Sequence, residues 1–236
     1  MNELSILVIT AASIGFLHTI LGPDHYLPFI VMSRSGRWSL RKTTLVTVMC
    51  GTGHVLSSVL LGFLGITLGI AISKLETVES SRGTLAAWAL VAFGLIYFVW
   101  GVRKALRQRS HMHIHEHEGD IAHAHTHSHT EEHIHIHEKK GSRSLTPWVL
   151  FTIFILGPCE PLIPMLMYPA AKNSFWGMVL VSGVFGGITI MTMLGIVFVS
   201  TIGVNIIPAE RLEKYTHAIA GAVISLCGIS ILFLGL

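Results

Sequence analysis

The chain has 236 residues, of which 51% are hydrophobic and only 12% are charged, against about 25% charged residues in an average soluble domain. Its mean hydropathy is +0.65. This composition excludes a disordered chain, a secreted disulfide scaffold and an ordinary cytosolic enzyme. It predicts a polytopic membrane protein whose partner is the lipid bilayer. The net charge of +3 gives no indication of nucleic-acid binding.

Six apolar segments are long enough to cross a hydrocarbon core of about 30 Å. In chain order they are predicted at residues 4–32, 45–72, 84–102, 145–170, 176–202 and 216–236. The fold class is therefore expected to be all-α with six transmembrane helices. Three domains are predicted: a first three-helix repeat at 1–102, a polar loop at 103–144 and a second three-helix repeat at 145–236.

The two halves share a motif inside their first spans. Leu21-Gly22-Pro23 recurs 135 residues later as Leu156-Gly157-Pro158. Because each repeat has an odd number of spans, the second is expected to enter the membrane from the opposite side. Proline lacks a backbone donor and restricts the residue before it, so each span is predicted to break at its Gly-Pro pair.

Metal-binding residue types follow both predicted breaks. A charged side chain in the membrane costs about 2.5–3.5 kcal/mol and normally faces a cavity or a partner. We therefore predict a metal site, with the alternative that these groups merely satisfy the broken backbone. The predicted ligands are Asp24, His25, His18, His54, Cys159 and Glu160.

The other membrane histidine and the remaining cysteines are expected to have structural roles. His217 stands at the start of the last span, where an interfacial position is the simpler interpretation. Cys50 and Cys227 are expected to pack as small apolar residues. The cysteine spacing provides no disulfide framework and no C-x-x-C motif.

The polar loop contains eleven of the fifteen histidines. Its spacers are mostly small or polar, so we expect the loop to be disordered without metal. Neutral imidazole binds Ni²⁺, Co²⁺, Zn²⁺ and Cu²⁺ well, and the alternative is a polar linker. The predicted loop ligands are His111, His113, His115, His117, His123, His125, His127, His129, His133, His135 and His137.

Basic residues are unevenly distributed between the predicted faces. The loops at 33–44, 103–144 and 203–215 carry 13 of the 16 Lys and Arg residues, and the other face carries only Lys74, Arg82 and Lys172. The positive-inside rule therefore predicts a cytoplasmic histidine-rich loop, with both termini outside the cell membrane.

These motifs resemble known membrane families. His18, Asp24 and His25 form H-x5-D-H, which resembles the H-x4-D-H signature of nickel/cobalt permeases with one extra residue. The histidine-rich loop resembles that of nickel/cobalt efflux proteins. The plan of three plus three spans with proline breaks is similar to UreH-type urease-accessory proteins and to the cytochrome c biogenesis and DsbD-like thiol carriers.

The leading hypothesis is a transporter rather than an enzyme. Its expected substrate is a divalent transition metal, nickel or cobalt, with zinc or copper as alternatives, and no tightly bound cofactor is expected. Export is slightly favoured, because the loop would collect metal on the donor side. A transmembrane thiol–disulfide carrier and a membrane metallochaperone or urease accessory factor are the alternatives. The sequence is also compatible with a homo-oligomer.

Overall fold

The computed structural model describes residues 3–107, 111–115, 123–127, 145–206 and 213–234. Helices dominate these residues. The elements in chain order are α1 (Glu3–Leu21), a 3₁₀ turn (Pro23–His25), α2 (Leu27–Ser35), α3 (Leu40–Thr67), α4 (Ile72–Arg107), β1 (His111–His115), β2 (His123–His127), α5 (Thr146–Leu156), α6 (Leu162–Ala171), α7 (Phe175–Ile206), a second 3₁₀ turn (Glu213–Tyr215) and α8 (Thr216–Leu234).

Five helices in the described part of the chain, α1, α3, α4, α7 and α8, are long and apolar enough to cross a membrane. The other two apolar segments, α5 and α6, are shorter. Large apolar side chains such as Ile96, Val199 and Phe233 are exposed on the helix surfaces, as expected where lipid replaces water. The helices agree with a polytopic membrane protein, whereas six crossings and inverted repeats stay predictions.

A helix interruption occurs at each Gly-Pro pair. α1 ends at Leu21, and Gly22 adopts an extended conformation before the 3₁₀ turn. α5 ends at Leu156, and Gly157 is likewise extended, so the helix resumes only with α6. Proline explains both interruptions, because its ring disfavours helical geometry at the residue before it.

The third predicted span is longer than expected. It was predicted to begin at residue 84, but α4 begins at Ile72 and continues to Arg107, past the predicted domain boundary at 102. The polar stretch around Lys74 and Arg82 lacks proline, and its residues are compatible with a helix. Arg82 therefore lies within a helix and not in an external loop.

The two halves of the chain pack into each other. α1 packs on α7, α4 packs on α8, and α3 contacts both α5 and α7. A Cβ at Gly221 would lie 2.6 Å from the Gly94 carbonyl oxygen, so small residues let α4 and α8 approach closely. Helices of the predicted segments 1–102 and 145–236 therefore pack against each other.

Ion pairs connect elements at both ends of the helices. Lys172 contacts Glu3 at 3.3 Å, and Arg37 contacts Glu213 at 2.6 Å. The hydrogen bond to the Glu3 carboxylate raises the pKa of Lys172 above its usual value. These exposed pairs add little stability. They do bring together the segments that the charge pattern assigned to the same face.

The histidine-rich loop contains regular structure where the sequence predicted disorder. β1 and β2 pair antiparallel, with His111 opposite His127, His113 opposite His125 and His115 opposite His123. The alternating sequence has the period of a strand, which explains the pairing. His117, His129, His133, His135 and His137 lie outside the described residues.

Candidate metal centre

Three histidines from three different elements converge in the core. His18 lies in the last turn of α1, His25 ends the first 3₁₀ turn and His54 lies midway along α3. One ligand atom from each lies within 4.8 Å of the other two. The ring centroid of His25 is 4.7 Å from that of His18 and 5.0 Å from that of His54. We call His18, His25 and His54 the histidine cluster.

Hydrogen bonds fix the protonation pattern of two rings in this cluster. His25 Nδ1 lies 3.1 Å from the Gly22 carbonyl and 3.1 Å from Asp24 Oδ1, and His54 Nδ1 lies 3.3 Å from the Phe154 carbonyl. Because these oxygens only accept, both Nδ1 atoms must donate. Each neutral ring then has a lone pair on Nε2.

The two Nε2 atoms face each other at 3.3 Å. Two lone pairs at that separation repel unless a proton or a cation lies between them. Nitrogens that bind one metal ion at about 2.1 Å lie about 3.0–3.4 Å apart for angles from about 90° to about 109°. His18 Nε2 is buried without a hydrogen-bond partner among the described residues. The arrangement is suited to nitrogen ligation of a transition metal.

The glycines of the two helix breaks lie against this pair of imidazoles. A Cβ at Gly22 would be 2.6 Å from His25 Nδ1, and a Cβ at Gly157 would be 3.0 Å from His54 Nδ1. Neither position has room for a larger residue without movement of a histidine. The Gly-Pro pairs thus interrupt the helices and also make space for the rings.

Asp24 has a supporting position in this arrangement. Its carboxylate accepts from His25 Nδ1 and is a quarter exposed. A carboxylate behind a ligating histidine fixes the ring orientation and raises the basicity of the other nitrogen. This contact suits Asp24 to orient the His25 ring, and its predicted role as a direct ligand stays a prediction.

Cys159 and Glu160 are separate from the histidine cluster. Cys159 is fully buried against Leu162 and Phe185 in an apolar group, and its backbone N–H donates to Ser58 Oγ at 3.1 Å. Glu160 is exposed and lines a cavity of about 470 Å³. The two residues follow the second break as predicted, but they do not join the three histidines in one group.

The cavity has a further charged residue that the sequence analysis did not identify as functional. Glu79 lines it, is only 1% exposed and pairs with Arg82 at 2.8 Å. The sequence signal was the i, i+3 spacing of an acid and a base. The spacing falls between the predicted spans at 45–72 and 84–102, so it does not by itself predict a buried pair.

His217 has partners that explain its place. Lys104 Nζ donates to His217 Nε2 at 3.0 Å, so Nδ1 donates to the Tyr97 hydroxyl at 2.8 Å. This position at the start of α8 is away from the histidine cluster. Its contacts join α8 to α4, which suits a structural role.

The three cysteines are free and buried. Cys50 and Cys227 belong to one apolar group, and Cys159 belongs to another. Thiol–disulfide exchange requires an attacking thiolate and a second thiol that resolves the mixed disulfide. All three cysteines are candidates for such a pair, and of them Cys50 and Cys227 share an apolar group.

Comparison with known proteins identifies a membrane family. The model of the cytochrome c biogenesis protein transmembrane region matches residues 28–233. This stretch includes His54 and all three cysteines but starts after His18 and His25. Among curated proteins and among solved structures, nothing matches the chain significantly. Since the match covers most of its length, the chain belongs to the cytochrome c biogenesis transmembrane region family and is a multi-pass membrane protein.

Proposed function

We propose that this protein transports a divalent transition-metal ion across the membrane through the histidine cluster. The observation that carries the proposal is the 3.3 Å separation of the His25 and His54 Nε2 atoms. In both rings Nδ1 donates a hydrogen bond to an oxygen, so Nε2 is the free ligand atom. The buried His18 Nε2 supplies a third nitrogen. Three neutral nitrogens favour Ni²⁺, Co²⁺, Zn²⁺ or Cu²⁺ over Mg²⁺ or Ca²⁺, which prefer oxygen ligands.

Nickel or cobalt is the proposed substrate within that class. This choice rests on the resemblance of His18, Asp24 and His25 to the permease signature. Affinity alone would favour copper. The choice therefore has to be tested by competition between metals in the same assay.

The helix breaks support transport rather than storage. Broken helices that flank a buried site are typical of transporters with alternating access. α5 and α6 together would provide the sixth crossing, with Gly157 beside His54 as Gly22 is beside His25. In this proposal the two breaks are the places at which the site opens toward one face or the other.

The histidine-rich loop is proposed to collect metal ions for export. The register of β1 and β2 sets histidine opposite histidine at three positions, such as His113 and His125. Metal binding to histidine competes with protons, which gives a chemical link to a proton gradient. We propose a cytoplasmic location for this loop, with both termini outside.

The family match favours a second function more directly, namely a transmembrane thiol–disulfide carrier. In that reaction two thiols would form a disulfide, losing two protons and passing two electrons to a partner disulfide. The candidate thiols are Cys50, Cys159 and Cys227. A third candidate, a metallochaperone or urease accessory factor, would bind metal at the same histidines without moving it.

Metal flux into or out of proteoliposomes separates these functions. Liposomes containing a metal-sensitive dye would be tested with Ni²⁺, Co²⁺, Zn²⁺ and Cu²⁺, with and without a pH gradient. We expect flux that His25→Ala and His54→Ala abolish and that His217→Ala, the matched control, preserves.

Each alternative function has its own result. Binding without flux for every metal would favour the metallochaperone. Absence of both binding and flux, together with thiol exchange that Cys159→Ser abolishes, would favour the electron carrier. Full activity in Cys159→Ser would exclude thiol chemistry at that residue.

A further inference from the structure

α4 contacts the second helix break directly. A Cβ at Gly83 would lie 2.8 Å from the Pro158 ring, so the backbone of α4 is pressed against the break. The preceding residue, Arg82, extends toward the same place. Its side chain is 19% exposed although it is charged. Such a group needs compensating partners at membrane depth.

Arg82 has partners on three different elements. Its Nη1 donates to Glu79 Oε1 at 2.8 Å, within α4. Its Nη2 donates to Ser57 Oγ on α3 and to the Ile155 carbonyl at the end of α5, both at 2.7 Å. The guanidinium therefore links α4, α3 and the last turn before the break. The planar guanidinium of arginine, with its fixed N–H donors, can link three elements better than the flexible ammonium of lysine.

The same contacts extend to the histidine cluster. Ser57 Oγ donates to the His54 carbonyl at 2.8 Å while it accepts from Arg82. The Phe154 carbonyl, one residue before Ile155, accepts from the His54 ring. Arg82 therefore holds both the turn of α3 that carries His54 and the turn of α5 that orients its imidazole.

On its other side, the arginine pair adjoins the cavity. Glu79 is shared, because it accepts from Arg82 and also lines the cavity with Glu160 and Pro161. The acidic side chains that line the cavity can attract a cation that leaves the histidine cluster. The positively charged guanidinium of Arg82 repels the same cation. Through Ser57, whose hydroxyl donates to the His54 carbonyl, the Glu79–Arg82 pair connects the cavity lining to the turn of α3 that carries His54.

We propose that Arg82 is a latch: it ties the second break to α3 beside His54, and it must release for a metal ion to pass between the histidine cluster and the cavity. This inference rests on the proposed function and adds the residue that closes one exit. Arg82 acts through Ser57 and the Ile155 carbonyl and is a positioning residue, not a ligand.

The test measures how fast bound ⁶³Ni²⁺ leaves the purified full-length protein when an excess of chelator is added. The loop histidines would obscure the signal, so all variants are made in a full-length chain whose eleven loop histidines are replaced by Asn, here called the loop-silent protein. Arg82→Gln is compared with Arg82→Lys and with Arg103→Gln, which alters an exposed arginine on the same helix. Thermal unfolding is recorded for each variant.

We expect Arg82→Gln to release ⁶³Ni²⁺ about tenfold faster than the loop-silent protein. This size is typical when hydrogen bonds that position metal ligands are lost. Arg82→Lys should restore part of the slow release, and Arg103→Gln should not change it. A merely structural role would lower the unfolding temperature but leave release from the folded fraction unchanged. Unchanged release from stable Arg82→Gln would overturn the proposal.

A double variant at Glu79 and Arg82 keeps the test valid if Arg82→Gln alone fails to fold. Arg82→Gln alone leaves the buried Glu79 carboxylate uncompensated, which is strongly destabilising. Glu79→Gln/Arg82→Gln removes both charges and should fold while still releasing metal rapidly. Slow release from this folded double variant would also overturn the latch. If the loop-silent protein binds no ⁶³Ni²⁺ at all, the proposed function itself fails, which is a different result.

Discussion

The Nε2 atoms of His25 and His54 face each other at 3.3 Å, although the two residues lie 29 positions apart and on different elements. Each ring donates from Nδ1 to an oxygen, so this contact brings two lone pairs together. A shared proton or a bound cation relieves the repulsion. In the proposed function, metal binding at this pair would therefore be linked to proton release.

Asp24 orients His25, so its removal should weaken metal binding without abolishing it. Asp24→Asn keeps the size of the side chain but removes its charge. We expect the Kd of the loop-silent protein for Ni²⁺ to rise by about 10- to 100-fold, and His25→Ala to cause a larger loss. Isothermal titration calorimetry measures both. An Asp24→Asn loss as large as that of His25→Ala would indicate that Asp24 is a direct ligand.

Gly157 makes room for the His54 ring, so an added methyl group should disturb the site. In Gly157→Ala the new Cβ would lie 3.0 Å from His54 Nδ1 and 3.2 Å from the Phe154 carbonyl. We expect a Ni²⁺ Kd raised by about tenfold. Gly183→Ala is the matched control, because its Cβ would meet nothing within 4 Å. Equal affinity in the two variants would contradict this role for Gly157.

Metal affinity should decrease as the pH falls. Protons compete with metal for imidazole nitrogens, so binding weakens as the pH is lowered toward the point at which the cluster histidines become protonated. The prediction is tested by Ni²⁺ titrations of the loop-silent protein at several pH values. Affinity that stays constant down to the lowest pH at which the protein remains folded would argue against ligation by histidine nitrogen.

Loss of the loop histidines should affect metal capture more than translocation. We expect the loop-silent protein to need more Ni²⁺ for half-maximal flux while reaching a similar maximal rate, because the membrane ligands are intact. Flux in proteoliposomes over a range of Ni²⁺ concentrations separates the two parameters. Complete loss of flux would move the essential site from the membrane to the loop.

Local sequence rules predicted the breaks but could not predict which polar groups meet. Gly22-Pro23 and Gly157-Pro158 interrupt helices through backbone geometry alone, which a sequence reveals. The place of His54 depends on how α3 packs on α5 and α7. Cys159 occupies the position equivalent to Asp24 in the predicted repeat, yet it lies in an apolar group whereas Asp24 contacts His25, because equivalent positions need not face the same partners.

The start of α4 shows another limit of sequence analysis. Arg82 falls between the predicted spans at 45–72 and 84–102, so the charge pattern places it on the external face. Its partners are Glu79 three residues earlier and two groups on other helices, Ser57 and the Ile155 carbonyl. Only the packing of the helices reveals that the charge is compensated.

The amount of metal bound per chain tests the central claim most directly. The loop-silent protein would be equilibrated with Ni²⁺, separated from free metal and analysed for bound nickel, alongside His54→Ala and the control His217→Ala in the same background. We predict one Ni²⁺ per chain in the loop-silent protein and in His217→Ala, and almost none in His54→Ala. Equal nickel content in His54→Ala would contradict a metal site at the histidine cluster.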